Sequence, residues 1–181
     1  MTIFGANLPV SGWTLAVLIV GGAVSLLAWR SVARLARWRP GATLGALLSL
    51  TVVVALTATP KGTQPTLGVA ACIPYDWNDF VFNIFHTGGG SAGDVFNFLL
   101  MFPLTFSLLL ATRRVWPSVV LGLALPIAIE FLQTVLPGRS CAITDMLTNS
   151  GGALLGVLAG WIVEVRARRG TATPGRQSVG P

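Results

Sequence analysis

Five runs of apolar residues, each about as long as a bilayer is thick, leave this chain few ways to fold. They are Ser11–Trp29, Ala42–Thr59, Val95–Thr112, Trp116–Val135 and Met146–Val165. An α-helix rises about 1.5 Å per residue, so roughly 20 residues cross a hydrocarbon core of about 30 Å. Inside that core every backbone N–H and C=O must find its partner within the protein, and a helix supplies the partners from its own segment. The composition agrees: 53% of residues are hydrophobic and only 10% charged, against about 25% charged in an ordinary soluble domain. The expected fold is all-α, a polytopic membrane helix bundle of about five transmembrane helices.

The basic residues predict the orientation. Arg30, Arg34, Arg37 and Arg39 follow the first run, Arg113 and Arg114 the third, and Arg166, Arg168, Arg169 and Arg176 the fifth. The opposite side holds only Lys61 and Arg139. This asymmetry of ten against two places the amino terminus outside and the carboxyl terminus in the cytoplasm. It also accounts for the net charge of +6 as a topology signal, so no nucleic-acid partner is expected. No charged residue precedes Arg30, so the first run lacks the positive start of a cleaved signal peptide and reads as a permanent span. The acids sort the other way. Asp76, Asp79, Asp94, Glu130 and Asp145 map to the outer loops or the outer halves of spans, and only Glu164 lies near the cytoplasm.

Polar residues on three of the spans fall at helical spacing. Asp94 and Asn97 open the third, with Pro103 in its middle. Gly122, Pro126, Glu130 and Gln133 share one face of the fourth. On the fifth, Gly152, Gly156 and Gly160 form a small-residue face of the kind that lets membrane helices pack closely. The same face continues back through Asn149 to Asp145. Arg139 is the fixed positive charge nearest to these acids in sequence. Polar groups at membrane depth are costly to place and mark functional sites. Asp94, Asn97, Glu130, Gln133, Arg139, Asp145 and Asn149 are therefore expected to converge in one outward-facing, ligand-binding pocket. The alternative is that they hydrogen-bond helices together and have no ligand.

The long outer loop, from Pro60 to Gly93, carries one more expected element. After Pro74, Trp77, Phe80, Val81, Ile84 and Phe85 recur at the spacing of one helix face, with Asp76 as N-cap. An extracytoplasmic amphipathic helix lying in the membrane interface is expected there, or else one that caps the bundle as core. His86, the single histidine, sits on its polar side and joins the candidate ligand-binding residues. No second histidine and no CxxC or HExxH spacing accompanies it, so neither a metal site nor a cofactor is expected. Cys72 and Cys141 both map outside, where an oxidising compartment permits a disulfide. The other possibility is two unrelated thiols. The expected organisation is a two-helix hairpin over 1–59, a three-helix core with the loop helix over 60–170, and a disordered cytoplasmic tail over 171–181.

At these residues the chain resembles the VanZ-like family of small bacterial membrane proteins. The resemblance covers roughly Ile73 to Val165. It rests on Ile73-Pro74-Tyr75, Asp94-x-x-Asn97 followed by Pro103, Glu130-x-x-Gln133, Arg139, and Asp145-x-x-x-Asn149-x-x-Gly152 with Gly156. The family commonly has a glycine two positions after the mid-span proline, where this chain has Thr105. The family's founding member is associated with low-level resistance to the glycopeptide teicoplanin in Gram-positive bacteria. The resemblance implies a multi-pass protein of the cell membrane concerned with the cell envelope. Two function classes follow. One is a non-enzymatic envelope or resistance factor binding a membrane lipid, a lipid-linked cell-wall precursor or a lipoglycopeptide. The other is a small membrane enzyme acting on a lipid-linked substrate, with Glu130 and Asp145 as candidate catalytic acid and base. Whether the protein is an enzyme stays open at this level, as does its oligomeric state.

Overall fold

The computed structural model describes residues 2–3, 6–7, 11–60, 72, 76–78, 81, 92–139 and 141–170. At 2, 3, 6, 7 and 92–94 only the backbone belongs to this description. Among the described residues five long helices follow one another: α1 (Gly12–Ala36), α2 (Pro40–Thr57), α3 (Ala92–Thr112), α4 (Val115–Gln133) and α5 (Ile143–Gly170). All five are long and apolar enough to cross a membrane. Ahead of them a two-residue antiparallel pair joins Thr2–Ile3 to Ala6–Asn7.

Local chemistry fixes where the helices begin and end. Ser11 and Thr14 form a capping box at the start of α1, each side chain accepting from the other's backbone N–H at 3.2 Å. At its other end Arg37 adopts a left-handed conformation (φ 57°). The chain then turns back as Trp38 N–H donates to the Ala33 carbonyl at 2.8 Å. Pro40 opens α2 at the one position where a missing N–H costs nothing. Arg113, also left-handed at φ 56°, makes the short turn from α3 to α4. Several hydroxyls within the spans are satisfied inside their own helices. Thr43, Thr57 and Ser118 each donate to a carbonyl four residues back, as lipid surroundings require.

The bundle is built outward from α3 and α5, which make the most extensive contact. Glycines set their approach. A β-carbon on Gly152 would overlap the Phe98 carbonyl, one on Gly156 the Phe102 carbonyl and Thr105 hydroxyl, and one on Gly160 would lie 3.2 Å from the Phe106 carbonyl. Thr105 uses this closeness, donating across the interface to the Ala153 carbonyl at 2.8 Å. The residue that departs from the family's usual glycine is thus an interhelical donor, filling space between Gly122 of α4 and Gly156 of α5. On one side α2 packs against α3, and α1 against α2. The α1–α2 seam contains Thr14 with Thr59 and Ser25 with Thr51, both at 3.1 Å. On the other side α4 rests mainly on α5. Val53, Leu100, Met101, Leu104, Ile129 and Ala153 form the buried centre. Leu27, Leu35 and Trp116 are more than three-quarters exposed, which suits side chains that meet lipid.

Four positions of the expected outer-loop helix are among the described residues. Trp77, Asn78 and Val81 are helical, and Asn78 N–H donates to Asp76 Oδ1 at 2.7 Å, the capping role expected of Asp76. His86 and the remainder of that stretch lie outside the described residues, as does the tail from 171.

Candidate functional site

Glu130, Gln133, Arg139 and Asp145 lie at the end of the bundle where α2 and α4 finish and α5 begins. The Cys72–Cys141 disulfide closes this end, with the two Cα atoms 4.7 Å apart. It fastens the long loop to the α4–α5 connection. Next to Cys141, the Ala142 N–H donates to Glu130 Oε2 at 3.0 Å. Glu130 is only 1% exposed, and this bond gives its buried carboxylate a backbone donor.

Arg139 comes from the same connection. Its Nε donates to the Thr59 carbonyl at 2.9 Å and its Nη2 to the Leu56 carbonyl at 2.8 Å. Leu56 belongs to the last turn of α2 and Thr59 lies just beyond it, where helical partners run out and where the helix dipole favours a cation. Gln133 adds a third contact, Nε2 donating to the Thr57 carbonyl at 3.4 Å. Burial pulls the Arg139 guanidinium below its ordinary pKa, and the negative charges of Glu130 and then Asp145 push it back up. Arginine stays charged through such shifts, so it is a fixed cation within electrostatic reach of both acids. Asp145 stands half-buried in the first turn of α5, where a carboxylate suits the dipole.

Asn149 lies one turn further along α5 and is 2% exposed. Its Oδ1 is buried and has no hydrogen-bond partner among the described residues. An orphaned buried acceptor costs about 1–3 kcal/mol. Asn97 is half-buried on α3, next to Phe98, whose backbone meets Gly152. Asp94 begins α3 at the same end, but its side chain lies outside the described residues. Among the described residues no group of three His, Cys, Asp or Glu side chains could hold a metal ion.

Beside this polar end lies an apolar cleft of about 530 Å³, lined by α2 and α3. Its wall runs from Leu48 and Pro103 near mid-span to Leu56 and Phe96. Leu56 also supplies a carbonyl to Arg139, so cleft and cation meet at one residue.

The opposite end holds a cluster that sequence reasoning did not find. Glu164 of α5, 5% exposed, takes Arg39 Nη1 at 2.7 Å and Nη2 at 3.3 Å. Arg168 Nε reaches it at 3.3 Å and Arg113 Nε at 3.8 Å. In the sequence Glu164 stands out as the one acid among basic clusters, and that was the available signal.

Five bilayer-length helices, with carboxylates, amides and a cation gathered at one end, define a polytopic helical membrane protein. The chain belongs to the VanZ/LLP1 family, which matches residues 15–164. The match takes in α2 and nearly all of α1 as well as the region from Ile73 onward that carries the sequence motifs. No curated protein and no solved structure matches the chain.

Proposed function

We propose that this protein is an envelope factor that binds an amphiphilic ligand at the disulfide end of the bundle. The ligand's polar group would lie near Glu130, Arg139, Asp145 and Asn149, and its apolar chain in the cleft between α2 and α3. The observation that carries this reading is the junction at Leu56. There a cleft of about 530 Å³, within the usual range for ligand sites, meets the turn that Arg139 caps. A lipid-linked cell-wall precursor or an acylated glycopeptide of the teicoplanin type has this two-part chemistry. The arginine and lysine asymmetry supports an amino terminus outside and a carboxyl terminus in the cytoplasm, which turns the site outward. A disulfide at that end suits an oxidising space.

The remaining polar residues would act by position. Glu130 would receive or orient a donor on the ligand, and the orphaned Oδ1 of Asn149 would accept a hydrogen bond from it. Asp94, Asn97 and His86 belong to the same proposal as outer contacts, with Gln133 holding α2 in place.

Purified protein in nanodiscs should bind teicoplanin more tightly than a glycopeptide that lacks the acyl chain. Leu99→Trp, which fills the cleft, and Glu130→Gln, which removes the charge, should each weaken teicoplanin binding by at least about tenfold, or about 1.4 kcal/mol. Both variants should elute as the native protein does. Equal affinity for the two glycopeptides, or unaltered binding in both variants, would defeat the proposal.

A further inference from the structure

The arginine cluster around Glu164 carries more positive charge than its one carboxylate neutralises. Three guanidiniums, from the α1–α2 turn, the α3–α4 turn and the end of α5, converge on one carboxylate. The four side chains together carry a formal charge of +2. Glu130 and Asp145 lie at the opposite end of the bundle. Arg39 is held most firmly, by its fork on Glu164 and by its backbone N–H donating to the Ala111 carbonyl at 3.1 Å. Arg113 makes the longest contact, 3.8 Å, and its side chain is 52% exposed. The Arg168 side chain is 66% exposed. Glu164 itself is buried beneath them at 7%. The carboxylate thus gathers three cations from below and leaves their outer faces toward the surroundings.

The depth of the cluster identifies those surroundings. Arg39 immediately precedes α2 and Arg113 immediately follows α3, so the cluster stands where neighbouring helices stop. Only α5 continues, by six residues from Glu164 to Gly170. Trp29, with Arg30 Cζ 5.0 Å from its ring centroid, belongs to this end too. So do Trp116 and Trp161, 76% and 48% exposed. Tryptophans exposed near helix ends mark the layer of lipid headgroups. A phosphate in that layer would meet guanidinium donors from three parts of the chain, and guanidinium matches phosphate geometry better than an ammonium does.

We propose that Arg39, Arg113 and Arg168, gathered by Glu164, form a binding site for the phosphate of an anionic phospholipid. This site is separate from the polar end and requires neither the proposed ligand there nor a particular orientation of the chain. Arg113 and Arg168 would touch the phosphate, and Arg39 would hold the turn between α1 and α2 against α5. A bound lipid would then add a second common partner for the three arginines that Glu164 gathers.

Native mass spectrometry and thermal unfolding of the purified full chain provide the test, with phosphatidylglycerol, phosphatidylcholine or inorganic phosphate added in detergent. Phosphatidylglycerol should stay bound and raise the unfolding temperature, while phosphatidylcholine and phosphate at equal concentration should not. Arg113→Gln should weaken phosphatidylglycerol binding at least about fivefold. Arg30→Gln removes one positive charge from the same end but outside the cluster, and should leave binding unchanged. If Arg113→Gln does not fold, Arg168→Gln gives the same reading from a more exposed position. The proposal is overturned if the cluster variant binds phosphatidylglycerol as the native chain does. An equal loss in Arg30→Gln would overturn it by showing diffuse charge attraction, and an equal effect of free phosphate would overturn it by showing a general anion site.

Discussion

Replacing Gly152 by alanine should pry apart the two central helices. The added β-carbon would overlap the Phe98 carbonyl oxygen and lie 2.7 Å from the carbonyl carbon. An ordinary contact begins near 3.4 Å, so the carbonyl carbon alone would have to retreat by ~0.7 Å, and the nearer oxygen by more. No flexible side-chain tip can absorb that shift, because the obstacle is main chain. A radial gap of about 0.5–1 Å forfeits a quarter to a half of each affected contact's attraction, and overpacking of this kind costs about 1–3 kcal/mol. The obstacle puts Gly152→Ala at the upper part of that range. The better helix propensity of alanine returns up to ~1 kcal/mol, for a net loss of about 2 kcal/mol. For a chain of this size that corresponds to roughly 4–8 °C in unfolding temperature. Gly22→Ala is the matched control, since nothing lies within 4 Å of its added β-carbon. Detergent-solubilised variants heated in steps and followed by size-exclusion chromatography give the comparison. If Gly152→Ala survives heating as well as Gly22→Ala, the close approach of α3 and α5 at Phe98 is not a determinant of stability.

Three further outcomes are expected. The native protein should show no reactive thiol on a non-reducing gel-shift assay, and reduction should lower its unfolding temperature. Closing 69 residues is worth at most about 4 kcal/mol, and anchoring in a bilayer already restricts the unfolded chain. Free thiols in the untreated protein would refute the bond's persistence in solution. Arg139→Lys should destabilise the chain by about 1–3 kcal/mol, because an ammonium cannot reproduce the fork on Leu56 and Thr59 and leaves a carbonyl short. An unchanged unfolding temperature would mean those carbonyls find other donors. In a variant free of native cysteines, a cysteine introduced at Gly170 should resist an impermeant reagent in intact cells. Labelling from outside would reverse the proposed orientation.

The spans were legible in the sequence because membrane depth imposes one strong rule on many consecutive residues. Met146–Val165 falls inside the observed Ile143–Gly170, which runs on into the basic segment. The glycine face of α5 was legible as well, since 152, 156 and 160 need only helical periodicity to align. What the spacing could not reveal was each side chain's partner. Arg139 lies six residues from Asp145, which invites an ion pair, yet its donors go to carbonyls 80 and 83 residues away. Gln133 likewise spends its amide on Thr57. Such choices depend on where α2 ends in space, and no local pattern encodes that. Glu164 shows the same gap, because the firmest of its arginines is 125 residues distant. Thr105 reads only as a departure until Ala153 is brought opposite its hydroxyl.

The way α2 is held has a consequence for how the protein is made. One end of α2 is latched through Arg39 to Glu164, and the other through Leu56, Thr57 and Thr59 to Gln133 and Arg139. Every one of those partners is translated long after α2 itself. At ~5–20 residues per second the ribosome needs roughly 6–25 s to pass from Arg39 to Glu164. Until Gln133 and Arg139 emerge, late in that interval, α2 can be inserted without being secured, with α1 as its neighbour and both its latches still unmade. Assembly of this bundle is therefore completed from its carboxyl-terminal side, once the last helix has entered the bilayer.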